Sequence, residues 1–233
     1  HELTRERHRM TSSAQDVFSL ARKYLPDWKP GLIFDVGANV GQTAGEMVQR
    51  APEARIHAFE PFPDTYRELV ANMQVHPNVV PHNLALGRAA ATLNMEKHRD
   101  SRRSRLLPDA GGGTGSELVE VQVRTGAEVL RELGAPRIDI LKIDTEGHDY
   151  DVLIGFLPVI DQVDFIQVEA AMNPYNTTHV PLRRFEDLLW HLGFHLFHIF
   201  DQKMEWKRGG RPVLRRCNPV FINGRLVSLN KIN

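Results

Sequence analysis

The sequence predicts an α/β fold whose mostly parallel sheet carries helices on both faces and includes an antiparallel C-terminal strand. Short apolar strands alternate with amphipathic helices over residues 31–82 and again over residues 127–192. Such an order supplies the crossover connections that parallel neighbours need. Two strand patterns with no helix between them follow, over 194–200 and 213–222, and they predict a closing hairpin.

Proline residues and apolar periodicity delimit the elements of the first half. An amphipathic helix over 13–24 ends before Pro26, which makes residues 1–30 an N-terminal helical segment. The remaining chain, 31–233, is assigned to a single domain. Its first elements are predicted in the order strand 31–36, helix 40–50, strand 55–59, helix 63–74 and strand 78–82.

The chain over about 84–137 interrupts this alternation and is predicted to be an inserted strand-loop-strand region. Its two strand patterns cover 91–96 and 118–124. The loop between them is basic over 99–105 and rich in glycine over 111–115. Long loops inside compact domains often act as lids or binding loops, and a solvated connector is the alternative.

The alternation then resumes with five elements, the last of which ends at Gly193. They are helix 127–133, strand 138–143, helix 150–156, strand 163–168 and helix 182–192. The strand over 138–143 is apolar apart from Asp139 and Lys142, which is typical of a strand covered on both faces.

Composition limits the classes of function. The chain has 233 residues, of which 42% are hydrophobic, with 29 Lys and Arg against 29 Asp and Glu. Because no net charge attracts nucleic acid or an anionic membrane, we expect neither as a partner. The single cysteine, Cys217, excludes an internal disulfide and is typical of a reducing compartment. Since no apolar run approaches the ~20 residues of a membrane span, we expect a cytoplasmic protein.

A strand-to-helix turn over residues 32–42 is the first indication of a ligand. The strand contains Asp35 near its end. Gly37 and Gly41 follow it, and a helix begins directly after them. Glycines let a ligand approach the backbone where a Cβ would collide with it. A second strand ends in Glu60, placed to accept hydrogen bonds from both hydroxyls of a ribose. The combination predicts a nucleoside cofactor, and a tight turn without a ligand is the alternative.

The glycine spacing distinguishes between nucleoside cofactors. Dinucleotide sites use G-x-G-x-x-G, whereas Asn39 here stands where the middle glycine would be. A carboxylate at Asp35 would repel a pyrophosphate and would attract an ammonium group. S-adenosylmethionine, which carries both an ammonium and a ribose, is therefore the predicted cofactor. The alternative is a nicotinamide cofactor and an NAD-dependent oxidoreductase.

Acids also follow two later strands. Asp144 and Glu169 each come directly after a predicted strand, as do Asp35 and Glu60 in the first half. Because the carboxyl ends of parallel strands meet at one edge of a sheet, we expect the four acids on one rim. Like charges there cost free energy unless they bind an ammonium, a ribose, a hydroxyl or a metal.

Four motifs occur in order along the chain. They are Asp-Val-Gly-Ala-Asn-x-Gly at 35–41, Phe-Glu-Pro at 59–61, Leu-Ala-Leu-Gly at 84–87 and Lys-Ile-Asp-x-Glu-Gly at 142–147. With these motifs the chain resembles the FkbM family of S-adenosylmethionine-dependent methyltransferases over about residues 32–169. The resemblance implies the Rossmann-like class I methyltransferase fold with a seven-stranded sheet. It also implies O-methylation of hydroxyls on sugars, natural products or other small-molecule or glycan acceptors.

The resemblance also implies roles for the matching residues. The glycine turn would line the methionine end of the cofactor, and residues 83–85 would flank its adenine. Glu60 would hold the ribose, and Asp144 would lie beside the sulfonium and the incoming hydroxyl. The complete implied cofactor set is Asp35, Gly37, Ala38, Asn39, Gly41, Gln42, Thr43, Glu60, Pro61, Phe62, Asn83, Leu84, Ala85 and Asp144.

Two positions depart from the family pattern. A Thr-Leu-Asp type run is replaced by Thr-Gly-Ala-Glu at 125–128, and His148 stands where a small residue is common. His148 is the first candidate for the base that accepts the hydroxyl proton, because imidazole titrates near neutrality. Asp144 is the second candidate, either as the base or as the group that orients the imidazole. Glu169 completes the predicted catalytic set.

Residues on the acceptor side are predicted from loops and from the paired acids. Asp144 and Glu169 would suit Mg²⁺, but with no third clear ligand we favour direct binding of substrate hydroxyls. No residue is therefore assigned as a metal ligand. The predicted substrate contacts are Glu146, Ser104 in the basic loop, and Tyr175 and His179 in the amide-rich loop 172–179.

Other function classes are weighed against the methyltransferase. A methyltransferase fold without catalysis could serve as a binding module, but the intact Asp35, Glu60 and Asp144 disfavour it. Nucleic-acid methylation is disfavoured by the neutral charge and by the lack of a motif for a flipped base. The sequence is compatible with a homo-oligomer and does not identify the acceptor.

Overall fold

Strands and helices alternate along most of the described chain. A computed structural model describes residues 16–97, 105–106, 117–205 and 212–227. The helices are α1 (Val17–Tyr24), α2 (Gln42–Arg50), α3 (Pro63–Met73), α4 (Gly126–Leu133), α5 (Asp149–Phe156) and α6 (Leu182–His191). The strands are β1 (Leu32–Val36), β2 (Arg55–Phe59), β3 (Val79–His82), β4 (Ala85–Leu86), β5 (Ala91–Lys97), β6 (Arg105–Leu106), β7 (Glu117–Arg124), β8 (Ile138–Ile143), β9 (Val163–Gln167), β10 (Ala170–Ala171), β11 (Phe194–Glu205) and β12 (Val213–Asn223). Two 3₁₀ turns cover Leu157–Gln162 and Gly224–Leu226.

The main sheet confirms the predicted α/β fold. Its strand order is β10-β12-β9-β8-β1-β2-β3, with β11 paired to β12 at one side. The pairs β1–β2, β2–β3, β1–β8 and β8–β9 are parallel, whereas β12 runs antiparallel to β9, β10 and β11. The sheet has eight strands rather than the predicted seven. The additional strand is β10, whose two residues pair with Arg216 and Cys217 and are too few to show a periodicity.

The region around 84–137 forms a second sheet of its own. Its strand order is β4-β7-β5-β6, with β4 parallel to β7 and the other pairs antiparallel. The predicted strands over 91–96 and 118–124 are β5 and β7, each one residue longer than predicted. Most of the basic loop, and all of the glycine-rich stretch 111–115, lies outside the described residues.

Capping explains where two of the helices begin. Asp16 caps α1, because its side chain accepts a hydrogen bond from the backbone N–H of Ser19, while the Ser19 hydroxyl oxygen accepts one from the backbone N–H of Asp16. The Thr-Gly-Ala-Glu run caps α4 in the same reciprocal way through Thr125 and Glu128. A Cβ at Gly126 would overlap the ring of Phe156. This departure from the family pattern therefore has a packing and capping reason.

The hydrophobic core lies on both faces of the main sheet. One cluster includes Phe34, Phe156 and Phe185, and the other includes Ile33 and Phe165. All six residues of β8 are buried, as the apolar run predicts. With both faces covered, the carboxyl ends of the central strands are left to form a site. No helix in the described part of the chain is long and apolar enough to cross a membrane.

Candidate active site

A cavity of about 430 Å³ opens at the carboxyl ends of β1, β2 and β8. The strand order reverses between β1 and β8, because β2 and β3 extend the sheet in one direction and β8 and β9 in the other. Ligands of open α/β sheets bind at such a reversal point. The second sheet supplies part of the wall through Met95 and residues 84–86. The cavity therefore lies where the sequence predicts the cofactor.

The glycine turn after β1 forms one side of the cavity. Gly37 has φ +81° and Gly41 has φ +90°, and Asn39 between them is also left-handed at φ 51°. A Cβ on Gly37 would collide with the backbone carbonyl of Asp144, which follows β8. Gly41 caps α2, and a Cβ there would lie 2.8 Å from Leu69. Gly37 thus lets the loop after β1 contact the loop after β8, and Gly41 lets the start of α2 pack closely against α3.

Glu60 lies at the tip of β2 with only 5% of its surface exposed. Its carboxylate accepts hydrogen bonds from the backbone N–H groups of Asn39 at 3.1 Å and Phe62 at 3.0 Å. Burial raises the pKa of Glu60 to about 7, although these hydrogen bonds act in the opposite direction. The carboxylate is therefore fixed in position and faces a cavity in which its remaining lone pairs can bind hydroxyl donors.

Lys142 neutralises two of the predicted acids. Its ammonium lies 3.0 Å from the carboxylate of Asp35 and 3.5 Å from that of Asp144, with 7% of the side chain exposed. Burial lowers the pKa of Lys142, but the two carboxylates outweigh it and hold the pKa above its ordinary value. Asp35 is fully buried and does not line the cavity. The expectation that Asp35 meets the cofactor ammonium directly is corrected, since its partner is Lys142.

The loop after β8 forms the opposite side of the cavity. Asp144, Thr145, Glu146 and His148 all line it. The buried carboxylate of Asp149 holds this loop by accepting hydrogen bonds from the Thr145 hydroxyl at 3.0 Å and, more weakly, from backbone N–H groups of the loop. Burial raises the pKa of Asp149 to about 6, and the charge of Asp144 adds to this. These hydrogen bonds fix the loop, and His148 follows it at the N-cap of α5.

Glu169 lies behind this loop rather than on the cavity surface. β9 ends at Gln167, so Glu169 falls in the short connection before β10. One of its oxygens pairs with Arg216, and the other lies 2.5 Å from Nε2 of His179. Arg216 lines the cavity, whereas Glu169 and His179 do not. Glu169 therefore does not lie where it could contact the reacting groups directly.

The structure brings most of the predicted site residues to one cavity. Those that line it are Gly37, Ala38, Asn39, Gln42, Thr43, Glu60, Pro61, Phe62, Leu84, Ala85, Asp144, Glu146 and His148. The predicted residues that do not line it are Asp35, Gly41, Asn83, Glu169, Tyr175 and His179. Asn83 instead braces the β2 tip by donating to the carbonyls of Glu60 and Pro61. Ser104 lies outside the described residues.

Sequence reasoning missed three lining residues that matter for chemistry or fit. Lys142 could have been found, because it is a cation inside an otherwise apolar strand. Met95 and Arg216 come from β5 and β12, far along the chain from the other lining residues. No local pattern marks either of them, because their place in the site depends on how the two sheets are arranged.

The fold is that of a class I methyltransferase, with a cavity at the reversal point of its Rossmann-like sheet. The chain belongs to the FkbM methyltransferase family, since the family model of the methyltransferase FkbM domain matches residues 35–196. This confirms the resemblance on which the cofactor prediction was based, and S-adenosylmethionine is the methyl donor of this family. The match also decides against the NAD-dependent oxidoreductase.

Two relatives are methyltransferases whose names give different acceptors. The hexuronic acid methyltransferase AglP of Haloferax volcanii is 29% identical over 171 residues, which are 70% of this chain and 66% of that protein. The 31-O-demethyl-FK506 methyltransferase FkbM of Streptomyces tacrolimicus is 32% identical over 157 residues, 54% of this chain and 60% of that one. The matched part is less than two thirds of either relative.

Solved structures confirm the fold. Fibrillarin of Methanococcus jannaschii superposes with a TM-score of 0.51 and 14% identity, covering 86% of this chain and 69% of that one. Fibrillarin of Aeropyrum pernix, determined with natively bound S-adenosyl-L-methionine, gives a TM-score of 0.50 at 15% identity, covering 85% and 69%. At this level of identity the likeness concerns the fold alone.

Proposed function

We propose that this protein transfers a methyl group from S-adenosylmethionine to a hydroxyl of a sugar or of a sugar-like natural product. The observation that carries the proposal is one continuous cavity with the buried acid Glu60 on one side and Asp144 and His148 on the other. Glu60 suits the ribose of a nucleoside. The opposite side offers an acid and an imidazole to a nucleophile and its proton.

The chain's own residues fit the predicted cofactor. The left-handed turn at Gly37 and Asn39 gives a ligand close access to backbone groups. The apolar residues Phe62, Leu84 and Met95 offer a wall for a nucleobase. Asp144, whose side chain is 40% exposed, is the carboxylate available to a cationic ligand at this end. When bound, S-adenosylmethionine supplies an electrophilic methyl group.

His148 is the residue placed to accept the proton of the acceptor hydroxyl. An alkyl hydroxyl is a weak nucleophile, and a positioned base accelerates such reactions by about 10²–10⁴. His148 lines the cavity next to the loop that carries Asp144 and Glu146. The hydroxyl proton would pass to the imidazole while the oxygen forms its bond to the methyl carbon. Holding the two reactants in line supplies a further large part of the rate.

A hydroxylated acceptor is supported by the polar lining of this side and by the relatives. Thr145 and Arg216 can donate hydrogen bonds to hydroxyl or carboxylate groups, and the Glu146 carboxylate can accept them from hydroxyls. The relative from Haloferax volcanii is named as acting on a hexuronic acid, and NoeI of Sinorhizobium fredii as a 2-O-methyltransferase. We therefore place sugars and uronic acids first among the acceptors to test.

A labelled-methyl assay and a binding measurement test the proposal together. The protein is incubated with methyl-labelled S-adenosylmethionine and a panel of sugars, uronic acids and macrolides, and label in the acceptor is measured. In parallel, calorimetry with S-adenosylhomocysteine compares the wild type with Glu60→Gln. We expect about a tenfold or greater loss of affinity in the variant, because the amide lacks the negative charge and replaces one of the two acceptor oxygens with a donor NH2 group.

The control for the binding measurement is Glu53→Gln, an exposed acid in the turn before β2. Its affinity for S-adenosylhomocysteine should equal that of the wild type. Wild-type protein that does not bind S-adenosylhomocysteine would contradict the proposal. Tight binding without transfer to any acceptor would instead favour the non-catalytic binding module.

A further inference from the structure

Three side chains with metal-ligating atoms converge at the edge of the cavity. Glu146, Glu169 and His179 each direct one such atom to a common point, and these atoms lie within 4.8 Å of one another. Nε2 of His179 is 2.5 Å from an oxygen of Glu169 and 3.7 Å from an oxygen of Glu146. Glu169 and His179 come from the chain between β9 and α6, and Glu146 comes from the loop after β8.

Asn176 fixes the tautomer of His179. The side-chain oxygen of Asn176 accepts the backbone N–H groups of Thr178 and His179, each at 3.2 Å. Its side-chain nitrogen donates to the carbonyl of Arg215, so the amide cannot be reversed. The same oxygen lies 3.0 Å from Nδ1 of His179, and Nδ1 must therefore carry the proton. In the neutral ring, Nε2 is left as a bare lone pair.

That lone pair faces carboxylates rather than donors. Nε2 of His179 and the nearer oxygen of Glu169 are buried and have no hydrogen-bond donor among the described residues. Their close approach is not a hydrogen bond in this tautomer, because neither atom carries a proton. Arg216 contacts only the other oxygen of Glu169.

Two buried acceptor atoms without a donor, with a carboxylate oxygen of Glu146 close to them, favour a positive charge between them. We propose that Glu146, Glu169 and His179 bind a divalent transition-metal ion such as Mn²⁺ or Zn²⁺. One imidazole nitrogen and two carboxylate oxygens favour such ions over Mg²⁺, which prefers oxygen ligands alone. A histidine that ligates a metal ordinarily donates its other ring N–H to a fixed acceptor, and Asn176 is that acceptor here. The site differs from the sequence expectation, which paired Glu169 with Asp144 and favoured no metal.

The ligand separations are compatible with a metal after small side-chain movements. Two ligands at about 2.1 Å from an ion are about 3 Å apart when they meet at a right angle. The 2.5 Å and 3.7 Å separations bracket that value. Because Glu146 lines the cavity, the open positions of the ion would face the acceptor side. If the proposed function holds, the ion would bind an oxygen of the acceptor beside His148.

Metal binding is measured directly, apart from methyl transfer. Chelator-treated protein saturated with S-adenosylhomocysteine is titrated with MnCl₂, ZnCl₂ and MgCl₂ by calorimetry, and bound Mn²⁺ is counted by electron paramagnetic resonance. We expect one Mn²⁺ or Zn²⁺ per chain, bound at least tenfold more tightly than Mg²⁺. Glu146→Gln and His179→Gln should each weaken Mn²⁺ binding by tenfold or more. Asp151→Asn, an acid on α5 that pairs with Arg88, is the control and should bind like the wild type.

The outcomes separate this proposal from the proposed function. Each variant is also titrated with S-adenosylhomocysteine, and unchanged affinity shows that it is folded. Wild type that binds S-adenosylhomocysteine but takes up no stoichiometric Mn²⁺ or Zn²⁺ would overturn the metal site alone. A doubly protonated His179 ring in the metal-free protein, seen by ¹⁵N resonance, together with equal Mn²⁺ binding in Glu146→Gln, would overturn it too. Loss of S-adenosylhomocysteine binding in the wild type would instead defeat the proposed function.

Discussion

Individual partners explain how four acids coexist near one rim of the sheet. Lys142 lies between Asp35 and Asp144 and offsets their charges. Glu169 pairs with Arg216, which approaches from a different strand. No cation among the described residues pairs with Glu60, and burial raises its pKa to about 7. Three acids of the predicted rim therefore have a cation as partner. Asp35 and Glu169 do not line the cavity, whereas Glu60 and Asp144 do and can meet ligands.

His148 is the residue whose removal should separate catalysis from binding. In His148→Ala we expect turnover to fall by about 10²–10⁴, because a positioned base contributes that much to a proton transfer. Affinity for S-adenosylhomocysteine should stay within about twofold, since Glu60 and the glycine turn lie on the other side of the cavity. Turnover is measured with saturating donor and acceptor. His76→Ala, on the turn before β3, is the control, and an unchanged kcat in His148→Ala would exclude His148 as the base.

Glu60 should also make the stability of the protein depend on pH. Its pKa rises from 4.5 in the unfolded chain to about 7 in the folded one, mainly through burial. The folded state therefore binds more protons between these values, and the stability present below about pH 4.5 is lost as the pH rises through about 7. Glu60→Gln removes this dependence. One unit of pKa corresponds to about 1.4 kcal/mol. Between pH 4.5 and pH 8, the free energy of unfolding of the variant should therefore rise by up to about 3 kcal/mol relative to that of the wild type.

Denaturant unfolding of both proteins from pH 4 to pH 9 measures this difference. Because His57, whose burial lowers its pKa to about 4, is present in both proteins, its contribution cancels. A gain for Glu60→Gln that is the same at pH 4.5 and at pH 8 would show that Glu60 is not buried as described. If Glu60→Gln is more stable at high pH and also binds S-adenosylhomocysteine more weakly, Glu60 serves binding at the expense of stability.

At the scale of elements, the alternating pattern predicted the main sheet because its strands are buried on both faces. The prediction for β2 and β8 is correct to the residue, since each is a short apolar run bounded by turn residues. The strands β4, β6 and β10 were missed because each has only two residues and shows no periodicity. β11 extends five residues beyond its predicted end at Phe200, because pairing with β12 continues through polar residues.

The site was predictable where one short segment supplies both the turn and the ligand group. The glycine turn after β1, Glu60 after β2 and the loop after β8 are such segments, and all of them line the cavity. Residues that reach the site through tertiary packing were not predictable. Arg216 arrives on an antiparallel strand, and His179 meets Glu169 only because the chain folds back before α6. Predicting such contacts requires the sheet order, which local patterns do not contain.

At the scale of the whole molecule, the second sheet completes the side of the cavity on which we propose that the cofactor binds. The central strands offer only their ends and loops at the reversal point, so an additional wall must come from elsewhere. β4 and β5 supply it through Ala85, Leu86 and Met95. Met95 packs with Phe62, Ala85 and Val121 in a small apolar cluster separate from the two large ones. The second sheet therefore supplies one wall of the cavity, while the main sheet carries the two large core clusters.

This division of roles predicts the effect of shortening Met95, which is 6% exposed. Met95→Ala removes apolar surface that would contact a nucleobase, at roughly 1.4 kcal/mol or tenfold in affinity for S-adenosylhomocysteine. The free energy of unfolding should fall less than the 2–5 kcal/mol typical of a main-core substitution, about 2 kcal/mol or below, because the cluster is small. Calorimetry and denaturant unfolding measure the two quantities. Leu118→Ala, at an exposed position on β7 of the same sheet, is the control and should leave both unchanged. If Met95→Ala bound S-adenosylhomocysteine as tightly as Leu118→Ala, the second sheet would not form part of the cofactor site.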